Sequence, residues 1–364
     1  MTLSLYLTRR LAVSFAMVSG VFLGMMLLLD MVEQMRRHAQ RDAGLGDIVQ
    51  LALLNLPEGF YEIAPLVLML AAMWVGLGWS RSSEFVVIRA CGMALPRLMV
   101  LPALAVLVGG IGFVALMNPL VASSAREYNR VEAELRGRSP TAAVLREDGL
   151  WLRQADEEGQ TVIHAAQAED TGTILQDVTF LVFHPTRGLS VRLQADRAEL
   201  RHGHWELNTI KRWDLSRLNP EQDAQFSDSM ALPTDLTPEQ IRDNFAQVRT
   251  IPLAQLPGFI AALERAGFSA LEYRMRLQME LALPLLLVGM MLLALALSIH
   301  HMRAGRVGLR ALTTILAGFS LFFLRNFAQV LGETGQVPIT LAAFGLPVAT
   351  LLLAVGLLLN LEEG

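Results

Sequence analysis

The chain alternates between long apolar runs and polar breaks. Apolar runs cover about Leu11 to Leu29, Leu51 to Trp79, Leu98 to Leu120, Leu277 to Ile299, Val307 to Leu331 and Ile339 to Leu361. A helix needs about 20 such residues to cross a ~30 Å hydrocarbon layer. The pattern therefore predicts six membrane spans. Between the third and fourth, from Ala122 to about Ala270, charges are frequent and no run is long enough to cross. From Ala143 the period drops to two, as in Gly149-Leu150-Trp151-Leu152-Arg153, Thr161-Val162-Ile163-His164, Val178-Thr179-Phe180-Leu181-Val182-Phe183, Ser190-Val191-Arg192-Leu193 and Trp205-Glu206-Leu207. Glu158-Gly159, Arg187-Gly188 and His202-Gly203 separate these runs as turns. Short strands at this spacing predict a β-sandwich or jelly roll. Ser123 to Arg136 continues the third span as a helix. Thr237-Pro238-Glu239-Gln240 opens another with a capping box, and about Leu256 to Arg265 is helical again. The predicted fold is an α-helical membrane protein with six transmembrane helices and a β-jelly-roll domain inserted between helices 3 and 4. Its parts are residues 1–121, 122–270 and 271–364.

One polar break is itself patterned. Ser80-Arg81-Ser82-Ser83-Glu84-Phe85-Val86-Val87-Ile88-Arg89-Ala90-Cys91-Gly92 reads as a short helix over about 82–92 at the membrane surface. Ser82 or Ser83 caps it, Glu84 suits its positive end and Gly92 its stop. Phe85, Ile88 and Gly92 share a face, and Arg81 and Glu84 stand at i,i+3 spacing. From the residues alone it is either an amphipathic connector on headgroups or a docking element.

Composition sharpens the picture. Of 364 residues 53% are hydrophobic and 18% charged, against roughly a quarter charged in soluble domains. The net charge of −4 gives no reason to expect nucleic acid. A single cysteine, Cys91, excludes an internal disulfide and a cysteine-cluster metal site. The first apolar run is long and lacks a clear small-residue cleavage site, so it reads as a span and not a leader. Arg9, Arg10, Arg81, Arg89, Arg97, Arg303, Arg306 and Arg310 fall on one side of the membrane, and Arg36, Arg37 and Arg41 on the other. The positive-inside rule puts the first group, and both termini, in the cytoplasm. The docking segment is then cytoplasmic and the β domain extracytoplasmic.

No catalytic or metal site is expected. A phosphate loop needs Gly-x-x-x-x-Gly-Lys, and the chain's one lysine is Lys211 in the β region. His-Glu-x-x-His and Gly-x-Ser-x-Gly are absent, and His300-His301 point about 100° apart on a helix. Asp30, Glu58, Glu62 and Arg325 lie inside or beside the spans, where an ionisable group is a functional candidate by default. For Glu58, an edge charge reaching the headgroups is an equal alternative.

The string Arg-Ser-x-Glu-φ-x-Val, followed by Ala90-Cys91-Gly92, resembles the coupling helix of the LptF/LptG lipopolysaccharide-export permeases. So do Met31-Val32-Glu33-Gln34-Met35-Arg36-Arg37, Asp148-Gly149-Leu150-Trp151 and Gly335-Gln336-Val337-Pro338, in the same order around the same layout. The resemblance implies a multi-pass inner-membrane half-transporter without a nucleotide site or bound cofactor of its own. It would pair with a sister permease, two copies of a cytoplasmic ATPase that uses ATP and Mg, and periplasmic β-jelly-roll bridge proteins, and would extract lipopolysaccharide through a gate lined by spans one and five. Arg81, Glu84, Phe85, Val86, Ile88 and Arg89 would couple to the ATPase. Asp30, Arg36, Arg37, Glu58, Glu62, Arg325 and Asn326 would belong to substrate or gate. The residue reading leaves two other classes open, a lipoprotein-release permease and a non-transport scaffold presenting a β domain. In the family lysine stands where this chain has Asp30 and Glu58, and an acid where it has Arg325. Asp30 and Arg325 both lie roughly 27–28 Å along outward-running spans. Exchanged charges at one level predict an Asp30–Arg325 ion pair.

Overall fold

A computed structural model of the chain describes residues 2–39, 44–82, 95–135, 142–146, 149–156, 159–169, 173–184, 188–201, 203–215, 219–234, 251–265, 269–299 and 307–363. Three long helices come first: α1 (Thr2–His38), α2 (Leu45–Ser82) and α3 (Leu95–Leu135). Seven strands follow, β1 (Ala142–Arg146), β2 (Gly149–Asp156), β3 (Gly159–Glu169), β4 (Ile174–His184), β5 (Gly188–Arg201), β6 (His204–Asp214) and β7 (Gln225–Pro233). A short α4 (Leu256–Arg265) precedes α5 (Leu271–Ser298), α6 (Val307–Glu333) and α7 (Ile339–Glu363). Six of these helices are long and apolar enough to cross a membrane, and an antiparallel β domain stands between the third and the fourth, as predicted. The helix expected at Thr237 and the basic linker His300 to Arg306 lie outside the described residues.

The spans outrun their apolar runs, and prolines do not break them. α2 is continuous through Pro57, Glu62 and Pro65, and α3 through Pro102 and Pro119. A proline forfeits one backbone hydrogen bond. Opening the helix in hydrocarbon would strand several, so the chain stays helical.

The chain parts into two compact units, Met1–Glu132 with Arg274–Gly364, and Ala133–Tyr273. In the helical unit α5 is central. Of the residues in its apolar stretch 83% are buried, against 11% in α1 and 11% in α6. α1 rests on α2, and α6 rests on α2 and α7. Small residues set the closest approaches. A Cβ on Gly76 of α2 would fall 2.8 Å from Ser298 Cβ of α5, and one on Gly318 of α6 would fall 2.9 Å from Met69 Sδ of α2.

The second unit is one antiparallel sheet in the order β1 to β7, each strand paired with its neighbour in sequence. Its inner face gathers Leu150, Leu152, Ile163, Phe180, Leu193, Trp205 and Leu207, all almost fully buried. A sheet that buries one face so completely against its own strands has to coil upon itself.

The inward parity changes along the strands. β4 buries Leu175, then Val178 and Phe180; β5 buries Leu193 and Ala195, then Ala198 and Leu200; β6 buries Trp205 and Leu207, then Ile210. The register is unbroken across this switch: Gln176 faces Arg197 and Val178 faces Ala195, while Arg197 faces Asn208 and Ala195 faces Ile210. Asp177, Asp196 and Thr209 form an unpaired row between those pairs. Asp177 has φ 49° and Thr209 φ 54°, left-handed backbone that turns the following side chain back to the same side. The row is a crease across the sheet.

On the outer face Lys211 Nζ lies 2.5 Å from Glu221 Oε1, and the Trp213 indole N–H donates to Glu221 Oε2 at 2.6 Å. These hydrogen bonds, Lys211 first, hold the Glu221 carboxyl below its usual range. Lys211 also sits 4.8 Å from the Trp213 ring centroid and 5.4 Å from that of Phe226.

Candidate functional site

The coupling segment from Ser83 to Ala94, with Glu84, Phe85, Val86, Ile88 and Arg89, lies outside the described residues, and so does the side chain of Arg81. The helix that leads into it is well fixed. Trp79 and Ser80 of α2 are buried, and Ser80 Oγ contacts the carbonyls of Gly76 at 3.1 Å and Ser298 at 3.0 Å. Arg10 of α1 crosses Gly78, where an added Cβ would meet Arg10 Nη2 at 2.9 Å. The end of α2, the end of α5 and the start of α1 are thus clamped together next to the coupling segment.

At the other end of α1, Asn55 Nδ2 of α2 donates to Asp30 Oδ1 at 3.0 Å. Both residues border a cavity of about 300 Å³, together with Met26, Leu29, Glu33 and Leu56. Gln34, on the same helix face as Asp30, donates from Nε2 to Tyr128 OH of α3 at 3.0 Å. Arg36 and Arg37 project outward but fold back onto Glu33. Arg36 Nη2 is 2.9 Å from Glu33 Oε2, and Arg37 Nε is 2.8 Å from Glu33 Oε1. The i,i+3 and i,i+4 spacing in the sequence is the signal for this cluster of one acid and two bases, which leaves a net positive end on the helix.

Glu58 is half-buried on α2 and Glu62 is exposed; Arg325 is half-buried on α6 and Asn326 exposed. The Asp30–Arg325 ion pair is not formed. Asp30 is engaged by Asn55, with Gln34, Arg37 and Glu33 around it, whereas Arg325 lies in electrostatic range of Glu280, Tyr61 and Glu62. The two charges also meet α2 about two turns apart, at Asn55 and at Tyr61 and Glu62, and face different neighbours, because α1 is seated on α2 and α6 on α2 and α7.

Sequence reasoning missed Glu280. It lies in α5 with its side chain 11% exposed, accepts a hydrogen bond from Tyr61 OH of α2, and has Asn118 Nδ2 of α3 at 3.5 Å and Arg276 Nε at 3.9 Å. The Tyr61 ring stacks on Phe113 of α3 at 5.3 Å and 6°. The available signal was a lone acid inside the fourth apolar run.

A second cavity, of about 250 Å³, is apolar and bordered by Leu11 and Phe15 of α1, Leu68 of α2, Gly109 and Phe113 of α3 and Leu287 of α5.

Residues 5–360 match the family described as "Lipopolysaccharide export system permease LptF/LptG". The chain belongs to the LptF/LptG family. Among its relatives is the lipopolysaccharide export system permease protein LptG of Escherichia coli K12, 26% identical over 331 residues, covering 88% of this chain and 85% of that protein. The LptG of Haemophilus influenzae is 22% identical over 344 residues, covering 91% and 90%. Both of these relatives are LptG proteins. This LptF/LptG member is a lipopolysaccharide export permease, and its six spans make it a multi-pass protein of the inner membrane.

Proposed function

We propose that this permease is one half of an ATP-driven transporter that draws lipopolysaccharide out of the inner membrane. It pairs with an LptF-like sister subunit and with a cytoplasmic dimer of an LptB-like ATPase, which binds ATP and Mg. Both termini and the coupling segment face the cytoplasm. The β domain faces the periplasm and hands the lipid to LptC-like and LptA-like β-jelly-roll proteins by strand addition. The observation that carries this reading is the contrast between spans. α1 and α6 leave Leu28, Val32, Phe323 and Phe327 more than half exposed, while α5 is enclosed. Bare apolar faces on two separated spans suit a sister subunit and lipid chains, not a self-contained bundle. Arg36 and Arg37 stand at the outer end of the first of these spans, where anionic headgroup groups arrive.

The clamp of Arg10, Gly76, Gly78, Ser80 and Ser298 gives the coupling segment a rigid root. Motion of a docked ATPase then reaches α1, α2 and α5 together. The test is to purify the permease from native membranes, identify the bound subunits and lipid by mass spectrometry, and follow ATP-dependent lipopolysaccharide release from proteoliposomes. An ATPase and lipopolysaccharide are expected in the complex. A complex with neither, or release independent of ATP, overturns the reading.

A further inference from the structure

The charge of Arg325 is answered from inside the helical unit. Gly318, Arg325 and Gly332 are spaced by seven residues, so on α6 they fall on one face with a drift of only about 20° per step. Gly318 packs on Met69 and Leu66 of α2, and Gly332 on Met275 of α5 and Ala342 of α7. The side chain midway between them is therefore aimed at α2 and α5. Phe323 and Phe327 take the opposite, bare side, with exposures of 67% and 60%.

Across that seam stands Glu280. Three helices immobilise it: Tyr61 of α2 donates to it, Asn118 of α3 approaches it, and Arg276 lies one turn earlier on α5 itself. Tyr61 cannot swing away, because its ring is stacked on Phe113 with Phe60 edge-on to the same ring. The local charges, Glu62 and Glu280 against Arg276 and Arg325, sum to zero. A carboxylate at this depth persists only with such partners.

We propose that Glu280 is a positioning residue for the export step: it is the internal counter-charge that seats Arg325 and so fixes which side of α6 meets the lipid or the sister subunit. This rests on the export reading above. Without the Glu280 carboxylate only Glu62 is left against Arg276 and Arg325, and α6 relieves the excess positive charge by rotating the guanidinium outward. Phe323 and Phe327 then leave the face they now occupy. Arg325 acts here on its own helix and is not a headgroup ligand.

The experiment uses the complete permease–ATPase complex in proteoliposomes, with Glu280→Gln, Arg325→Gln and both together. Each is also made with Phe327→Cys, whose reaction with a lipid-soluble maleimide, read on the peptide that carries position 327 so that Cys91 is not counted, reports the rotation of α6. Glu280→Gln keeps the shape and the acceptor for Tyr61 while removing the charge. We expect about a tenfold loss of ATP-driven lipopolysaccharide release and about a threefold slower labelling at position 327. The double variant, with both charges gone, is expected within about threefold of wild type in release and close to it in labelling. Wild-type release in Glu280→Gln, or a double variant no better than the single, overturns the proposal. Should Glu280→Gln fail to assemble, Glu280→Gln with Arg325→Gln must still assemble, since the stranded charge is absent; failure of both overturns it. If the unsubstituted complex releases no lipopolysaccharide, the export reading fails, and the labelling rates still decide whether Glu280 sets α6.

Discussion

The clamp behind the coupling segment is tested by one methyl group. In Gly76→Ala the new Cβ falls 2.8 Å from Ser298 Cβ, with Leu295 Cδ2 and Ser298 Oγ each at 3.6 Å. Carbon atoms prefer about 3.5–4.0 Å, so α2 and α5 have to separate by roughly 0.7–1.2 Å at this point. The contact between Ser80 Oγ and the Ser298 carbonyl, now 3.0 Å, then opens beyond hydrogen-bonding range. Overpacking of this kind costs about 1–3 kcal/mol and the lost hydrogen bond about 1 kcal/mol, giving about 2–4 kcal/mol in all. The first assay is thermal unfolding of the purified complex in detergent, where a clear drop in Tm is expected. The second is ATP-driven lipopolysaccharide release, which should fall more steeply than ATP hydrolysis, because the root that carries the motion is loosened. Removing the opposing Cβ with Ser298→Gly in the Gly76→Ala background should restore most of both. Wild-type Tm and release in Gly76→Ala, or no recovery in the double variant, would refute the clamp.

The remaining predictions are simpler. Glu33→Gln should free Arg36 and Arg37 and raise headgroup crosslinking near them, while Arg36→Ala with Arg37→Ala should lower it several-fold without loss of complex yield; crosslinking indifferent to both changes would leave these arginines as surface anchors. Glu84→Arg should reduce ATPase co-purification and transport while the β domain still folds, and wild-type ATPase yield would remove Glu84 from the coupling contact. Thr209→Gly should stabilise the β domain by about 0.5–1 kcal/mol, since glycine accepts the left-handed backbone that a β-branched residue resists; a fall in the tryptophan-monitored unfolding midpoint would contradict the strain assigned there.

Span positions were legible because twenty consecutive apolar residues have few other uses. Their ends were not. α1 was expected over Leu11 to Leu29 and runs Thr2–His38, because polar residues at a helix end carry no signal for stopping. Pro57, Pro65 and Pro119 lie inside continuous helices, although in water, where an opened helix can turn to solvent, proline commonly breaks one. The strands from Gly149 to Glu206 announced themselves by alternation, but β7, with Ser227, Asp228 and Ser229, has little β propensity and was missed. Pairings were the least legible. Glu280 meets Tyr61 across 219 residues and Asn118 across 162, separations that no local pattern encodes. Asp30 and Arg325 were expected at one depth, yet they meet α2 about two turns apart, and depth counted from the end of an apolar run says nothing of which way a side chain faces around its helix.

The crease in the sheet restricts what can extend it. β7 closes the ordered row with Asp228, opposite Thr209 and unpaired between the Asn208–Ser229 and Ile210–Ser227 pairs. A further strand laid along β7 has to change phase at that row, presenting odd-numbered side chains to the interior on one side of it and even-numbered ones on the other. A segment of plain alternation matches only half the edge, and its remaining apolar residues point into water. The edge is therefore selective by grammar as well as by shape: it favours a strand that can change phase at the right place over one of plain alternation.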